Sequence, residues 1–143
     1  MSAAGVPFGG LSNVGRIVPT NILKFQESEN GLDIAFALLS NQTAGAPVVN
    51  PQGHYIGFIN EFDLMRALDT GKDLSQLTAG EIMRKERLVI TASTTLVDAA
   101  KMMEEHRVFN LPVEKDNVVA YSVSRHDLLR AWIGHGLGMG VES

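Results

Sequence analysis

Along the 143-residue chain, polar and apolar positions follow two rhythms, one helical and one alternating, and the same succession of the two occurs twice. Short β-rich segments, Ile22 to Phe25 and Leu88 to Thr91, each lead into a stretch with helical spacing. In the second stretch Leu96, Ala99, Ala100 and Met103 share one helical face, with Lys101, Glu104 and Glu105 opposite. Thr95 followed by Asp98 has the pattern of a capping box at that helix start. The corresponding face of the first helix reads as Leu32, Ala35, Phe36 and Leu39. Each helix gives way to a hairpin. The first turns at Asn50-Pro51-Gln52-Gly53, a type I signature, and the second at Asp116-Asn117. A second helix then begins near Glu61 or Arg125 and stops at Gly71 or Gly134, each placed as a C-terminal cap.

The duplication holds letter by letter. Ile17 matches Ile82 and Pro47 matches Pro112, 65 residues apart, whereas Leu32 and Leu96, Ala35 and Ala99, and Asp63 and Asp127 are paired 64 apart. The closing stretches DLMRAL and DLLRAW nearly coincide. Each copy is β-α-β-β-α, and at about 60 residues neither buries enough surface to be comfortable alone. The predicted fold is therefore α+β, two repeats packed sheet to sheet with pseudo-two-fold symmetry. The expected divisions are a flexible lead over 1–13, repeat 1 over 14–72, repeat 2 over 73–134, and a flexible tail over 135–143.

Composition narrows the function. The net charge is −4 and the sequence pI near 5.5, which argues against a basic nucleic-acid-binding face. Cysteine is absent, so disulfides, thiolate metal sites and cysteine nucleophiles are excluded. The first residues lack the basic start and apolar run of a secretion signal, and the longest apolar run, Ile34 to Leu39, is too short to span a bilayer. The expectation is a cytoplasmic protein with no membrane partner. The four histidines form no zinc-binding pattern, and the glycines at 134, 136, 138 and 140 fail the GxGxxG register at Met139. No catalytic constellation can be assembled, so the chain reads as a non-enzyme.

Two helices around a PVV-type hairpin, closing on DLMRAL and DLLRAW in tandem, resemble the cystathionine-β-synthase (CBS) domain over residues 14 to 134. That resemblance implies a Bateman module, a CBS pair that forms a homodimer and binds a regulatory ligand in the cleft between repeats. It also implies an adenosine site built on a Ser or Thr and an Asp three residues later. A carboxylate can accept hydrogen bonds from both ribose hydroxyls, and a helix N-terminus favours an anion. Repeat 2 supplies Ser124 and Asp127, with Arg125 and His126 between them to support a phosphate. Repeat 1 supplies Asn60 and Asp63, where Glu61 would repel one. The same residues are good helix caps: capping alone explains Ser124 and Asp127 equally, and it is the favoured reading of Asn60 and Asp63. The adenine would lie against Ile17, Val18, Ile82, Met83, Ala46 and Leu111, which ordinary core packing also explains.

Three departures bear on the ligand. Ala44-Gly45 and Phe109-Asn110 stand where some nucleotide-binding members carry a basic pair, Tyr121 stands where Gly57 leaves the cleft open in repeat 1, and Asn60 replaces a hydroxyl. The resemblance implies a sensor of AMP, ATP, adenosine or S-adenosylmethionine that signals to an unidentified effector protein, with no required cofactor. The alternative is an interaction and dimerisation module with a vestigial, empty cleft.

Overall fold

The elements begin where side chains can satisfy the first free N–H groups of a helix. Asn30 caps the first long helix, accepting from Leu32 N–H at 2.8 Å, and Thr95 caps its counterpart, accepting from Asp98 N–H at 3.2 Å. A computed structural model describes residues 9–134. Repeat 1 runs β1 (Phe25–Gln26), α1 (Gly31–Ser40), β2 (Gly45–Val49), β3 (Tyr55–Asn60) and α2 (Glu61–Asp69). A short α3 (Ala79–Ile82) precedes repeat 2, which runs β4 (Ile90–Thr91), α4 (Leu96–His106), β5 (Asn110–Lys115), β6 (Val118–Ser124) and α5 (Arg125–Trp132).

Each repeat builds a three-stranded sheet, ordered β1-β2-β3 and β4-β5-β6. In both, the first strand lies parallel to the second, with Phe25 opposite Val48 and Ile90 opposite Val113. The fold is α+β, with the β-α-β-β-α order in each copy. The two hairpins turn differently. Gly53 has φ +86, whereas Asp116 and Asn117 both have positive φ, the two-residue turn that suits the right-handed twist of paired strands. Gly71 and Gly134 also have positive φ, just past α2 and α5, as C-terminal caps require.

The helix face expected for repeat 1 is wrong. Ile34 and Leu38 are the buried residues of α1, whereas Leu32, Phe36 and Leu39 are 40%, 59% and 66% exposed and Ala35 is half-buried. The face expected for α4 holds, with Leu96, Ala99 and Met103 buried. The reason is register. The caps Asn30 and Thr95 are 65 apart, so Gly31, Ile34 and Leu38 correspond to Leu96, Ala99 and Met103. A slip of one residue turns a helix by about 100° and exchanges its faces. The length difference sits in the hairpins instead: residues 50–54 lie between Val49 and Tyr55, and only 115–118 between Glu114 and Val119.

The chain forms two compact units that cross the sequence repeats. Of the described residues, one holds 9–22 together with Val89–Lys115 and 120–134; the other holds Leu23–Leu88 and Asp116–Val119. In the first, the stretch before β1, here called the lead of repeat 1, joins the body of repeat 2: Asn21 bridges Ser122, whose N–H donates to Asn21 O at 2.8 Å. In the second, the lead of repeat 2 joins repeat 1, and Phe58 and Arg84 exchange backbone hydrogen bonds of 2.9 Å. The core of this second unit gathers Phe25, Ile34, Leu38, Ala46, Val48, Ile59, Leu64, Leu74 and Ala79.

Residues 1–8 and 135–143 lie outside the described residues, and the flexibility expected of those ends falls there. Gly9–Leu11 form a 3-10 turn, and the Ser12 carbonyl accepts the Leu96 N–H at 2.9 Å.

Candidate functional site

In the unit built on repeat 2, β6 runs directly into α5, and Ser124 is the residue at which the extended backbone turns helical (φ −100, ψ 166). Its hydroxyl accepts the Asp127 N–H at 3.0 Å, and Asp127 Oδ2 accepts the Ser124 N–H at 2.8 Å. This reciprocal capping box satisfies two otherwise orphaned donors and fixes both side chains. Asp127 Oδ1 faces Arg130 Nη2 at 3.7 Å, and the Asp127 side chain is 13% exposed. One carboxylate oxygen is thus held by the cap, while the other has a long ion pair to an arginine whose side chain is 47% exposed.

Arg125 begins α5. Its N–H donates to Phe109 O at 2.8 Å, and its guanidinium carbon lies 4.9 Å from the Phe109 ring centroid, within cation–π range. Phe109 is 44% exposed, so the pair is a stacked surface feature beside the cap. Sequence reasoning marked Phe109 only as the loss of a basic residue. No period in the chain signals this pairing, because Phe109 and Arg125 lie at opposite ends of the β5-β6 hairpin. His126 is exposed. Of the apolar positions assigned to this unit, Ile17 and Leu111 are buried core, whereas Val18 is 48% exposed.

Repeat 1 carries the same turn in a closed form. Asn60 accepts the Asp63 N–H at 3.0 Å, and Asp63 Oδ2 accepts the Asn60 N–H at 2.8 Å. Asp63 Oδ1 accepts from Arg66 Nη1 at 3.1 Å, and Arg84 Nε lies 3.9 Å from Oδ2. The Asp63 side chain is 3% exposed, and each of its oxygens accepts one hydrogen bond from the protein. Ala46 is core, and Ile82 and Met83 are half-buried against the same cluster.

Gly57 does not leave the open space expected of it. A Cβ there would overlap the Met83 sulfur and come within 2.9 Å of the Arg84 carbonyl, so the lead of repeat 2 fills that position. Tyr121, its counterpart, is half-buried, and burial raises its phenol. The same lead is anchored further along by Tyr55, whose hydroxyl donates to Glu86 O at 2.7 Å and accepts the Leu88 N–H at 3.3 Å. Burial pushes this phenol up to about 12, partly offset by the hydrogen bond from Leu88.

The crossed leads therefore sort the sequence-predicted residues into two sets. Ile17, Val18 and Leu111 share a unit with Ser124, Arg125, His126 and Asp127; Ile82, Met83 and Ala46 share the other with Asn60 and Asp63. Among the described residues no helix is long and apolar enough to cross a membrane.

Two sheets of this order, each followed by a capped strand-to-helix turn, define a paired α+β repeat protein. The CBS domain family matches residues 14–70 and again 79–134, and the chain belongs to it. A curated relative, arabinose 5-phosphate isomerase KdsD of Pseudomonas aeruginosa, is 32% identical over 87 residues, 60% of this chain; the chain spans 27% of that enzyme's length. Among solved structures, the CBS domain pair of protein MJ0100, in complex with 5′-methylthioadenosine and S-adenosyl-L-methionine, superimposes with a TM-score of 0.74 at 21% identity, covering 85% of this chain and 95% of that one. CBSX2 in complex with AMP gives a TM-score of 0.68 at 25% identity, covering 83% of this chain and 94% of that one.

Proposed function

We propose that the chain is a non-catalytic regulatory module that binds an adenosine-type ligand at the β6-α5 turn of repeat 2. The observation that carries this reading is the contrast between the two capping boxes: Asp63 Oδ1 is held by Arg66 at 3.1 Å on a side chain 3% exposed, while the matching Oδ1 of Asp127 has only a 3.7 Å ion pair on a side chain 13% exposed. A ribose diol would replace Arg130 on that oxygen, with the Ser124 hydroxyl beside it. AMP bound by the similar CBSX2 supports the ligand class. ATP, adenosine and S-adenosylmethionine fit the same recognition, and Arg125 and His126 would select for phosphate. Val18 would meet the base in the repeat 2 site; Ile17 and Leu111, and in repeat 1 Ala46, Ile82, Met83, Asn60 and Asp63, would serve structure. The repeats divide at 14–72 and 73–134, and the module works in the cytoplasm as a homodimer that passes its state to an effector protein, with no nucleic-acid partner.

A thermal-shift panel of adenosine, AMP, ADP, ATP and S-adenosylmethionine tests it. Ligand at 100 times its dissociation constant stabilises by about 2.7 kcal/mol, which raises the midpoint by roughly 5–10 °C in a protein of this size. The shift should be confined to one or two compounds and vanish in Asp127→Ala. A flat panel overturns the reading. One observation favours the alternative, an interaction and dimerisation module with an empty site: the Arg125 guanidinium is already engaged on Phe109. That alternative predicts the flat panel with the dimer intact.

A further inference from the structure

We propose that Phe109 is a positioning residue that makes the repeat 2 site prefer a phosphorylated adenosine to adenosine itself. The inference rests on the ligand site proposed above and names the feature that selects the phosphate. It starts from the stack at the first turn of α5, where the Arg125 guanidinium carbon lies 4.9 Å from the Phe109 ring centroid.

Repeat 1 shows that the fold does not need this pair. There Glu61 N–H donates to Ala44 O at 2.9 Å, the same backbone link that Arg125 N–H makes to Phe109 O at 2.8 Å. The link closes both strand-to-helix turns, yet in repeat 1 its side chains are a methyl group and a carboxylate. Phe109 is also 44% exposed between the buried Val108 and Asn110, so hydrophobic burial accounts for little of its presence. What an exposed ring does at this position is hold the cation of the neighbouring element.

A phosphate at this turn depends on that cation. Two of the backbone donors that a helix start offers an anion are already spent, Arg125 N–H on Phe109 O and Asp127 N–H on the Ser124 hydroxyl. A ribose held on Asp127 also places its phosphate near a carboxylate, which a facing positive charge must offset. Arg125 stands two positions away on the same turn, with the exposed His126 between them. A free arginine loses rotamer freedom when it meets a phosphate; one stacked on a ring has lost much of it beforehand. Nor does the stack retire the guanidinium. The ring attracts the cation through its face, and the outward edge of the five-donor fork stays open to phosphate oxygens.

Isothermal titration of the full chain with AMP and with adenosine tests this, in wild type, Phe109→Ala, Phe109→Leu, Phe109→Tyr, Arg125→Ala and the double variant Phe109→Ala/Arg125→Ala. Wild type should bind AMP more tightly than adenosine. Phe109→Ala and Phe109→Leu should each weaken AMP about 3–10-fold, the cost of ordering one long side chain, and move adenosine by less than about twofold. Phe109→Tyr keeps the ring face and should match wild type. Arg125→Ala should weaken AMP at least as much, and adding Phe109→Ala to it should change nothing more. Because Ala44 stands at the matching position of repeat 1, Phe109→Ala should also keep the wild-type melting midpoint. Equal wild-type affinity for the two compounds, or equal loss of both in Phe109→Ala, overturns the inference. So does tighter AMP binding by Phe109→Ala, which would mean that the ring withholds the arginine. An Arg125→Ala that binds AMP as wild type does assigns the phosphate to His126 or Arg130 and overturns it too. In each of these cases the ligand site itself stands. A wild-type chain that binds neither compound overturns the inference, and the panel above decides separately whether the site takes any adenosine compound.

Discussion

At the scale of single residues, the two aspartates at position N3 of their helices look interchangeable, and their surroundings make them different. Asp63 caps α2 and also sits against two arginines, with Arg84 Nε itself buried. Asp127 caps α5 and faces one arginine that is 47% exposed. Removing Asp127 should cost about 1 kcal/mol, the worth of a cap. Asp63→Ala loses the same cap and also the 3.1 Å ion pair to Arg66 and the 3.9 Å approach of Arg84, at a carboxylate 3% exposed, so it should cost about 1–3 kcal/mol. Urea unfolding of the two variants measures the difference; equal costs would mean that the arginines contribute nothing to Asp63. The sequence carried the spacing of both pairs and the capping reading, because a cap depends on residues three apart. It carried nothing of Arg84, which reaches Asp63 from 21 positions along the chain through the Phe58 bridge, nor of Phe109 beneath Arg125.

At the scale of elements, hydrophobic patterning located every long helix and both hairpins and misassigned one helix face. The pattern in α1 is uninformative because nearly every position is apolar, so the assignment leaned on the alignment of the repeats. The alignment slipped by one residue over the helix alone, pairing positions 64 apart between flanks paired 65 apart, whereas the structure keeps 65 through the helix and changes to 64 only in the hairpin. In α4 the charges Lys101, Glu104 and Glu105 mark the solvent side, and there the face was legible. The strands, read as Ile22 to Phe25 and Leu88 to Thr91, are only Phe25–Gln26 and Ile90–Thr91, since a two-residue strand leaves no period to detect. Nor does a single turn such as α3 leave a helical stripe. The corrected register makes a clean test. Ile34→Glu should leave the chain unfolded, because the helix would bury an unpaired charge. Phe36→Glu, two residues away, should fold. Circular dichroism melts decide it: a folded Ile34→Glu with an unfolded Phe36→Glu would restore the sequence-based face.

At the scale of the whole molecule, the units in space are not the repeats in sequence. A fragment cut at the expected repeat boundary, residues 14–72, would keep a lead that packs with the other unit and would lose several supports of its own. It would lack Leu74 and Ala79 from the core cluster, Arg84 from its pairing with Phe58, and the Glu86 and Leu88 backbone that holds the Tyr55 hydroxyl. A fragment of residues 23–88 keeps all of these and gives up only the short contribution of Asp116–Val119, where Lys24 Nζ donates to Val119 O at 2.6 Å and Val119 N–H donates to Gly53 O at 3.0 Å. Small domains near this length are marginal, so each missing core side chain counts heavily. The 23–88 fragment should therefore show dispersed amide resonances and slowed hydrogen exchange at Phe58 and Leu88, while 14–72 stays collapsed and unprotected. Equal protection in the two fragments would mean that the crossed leads add no stability and that each sequence repeat folds as its own unit.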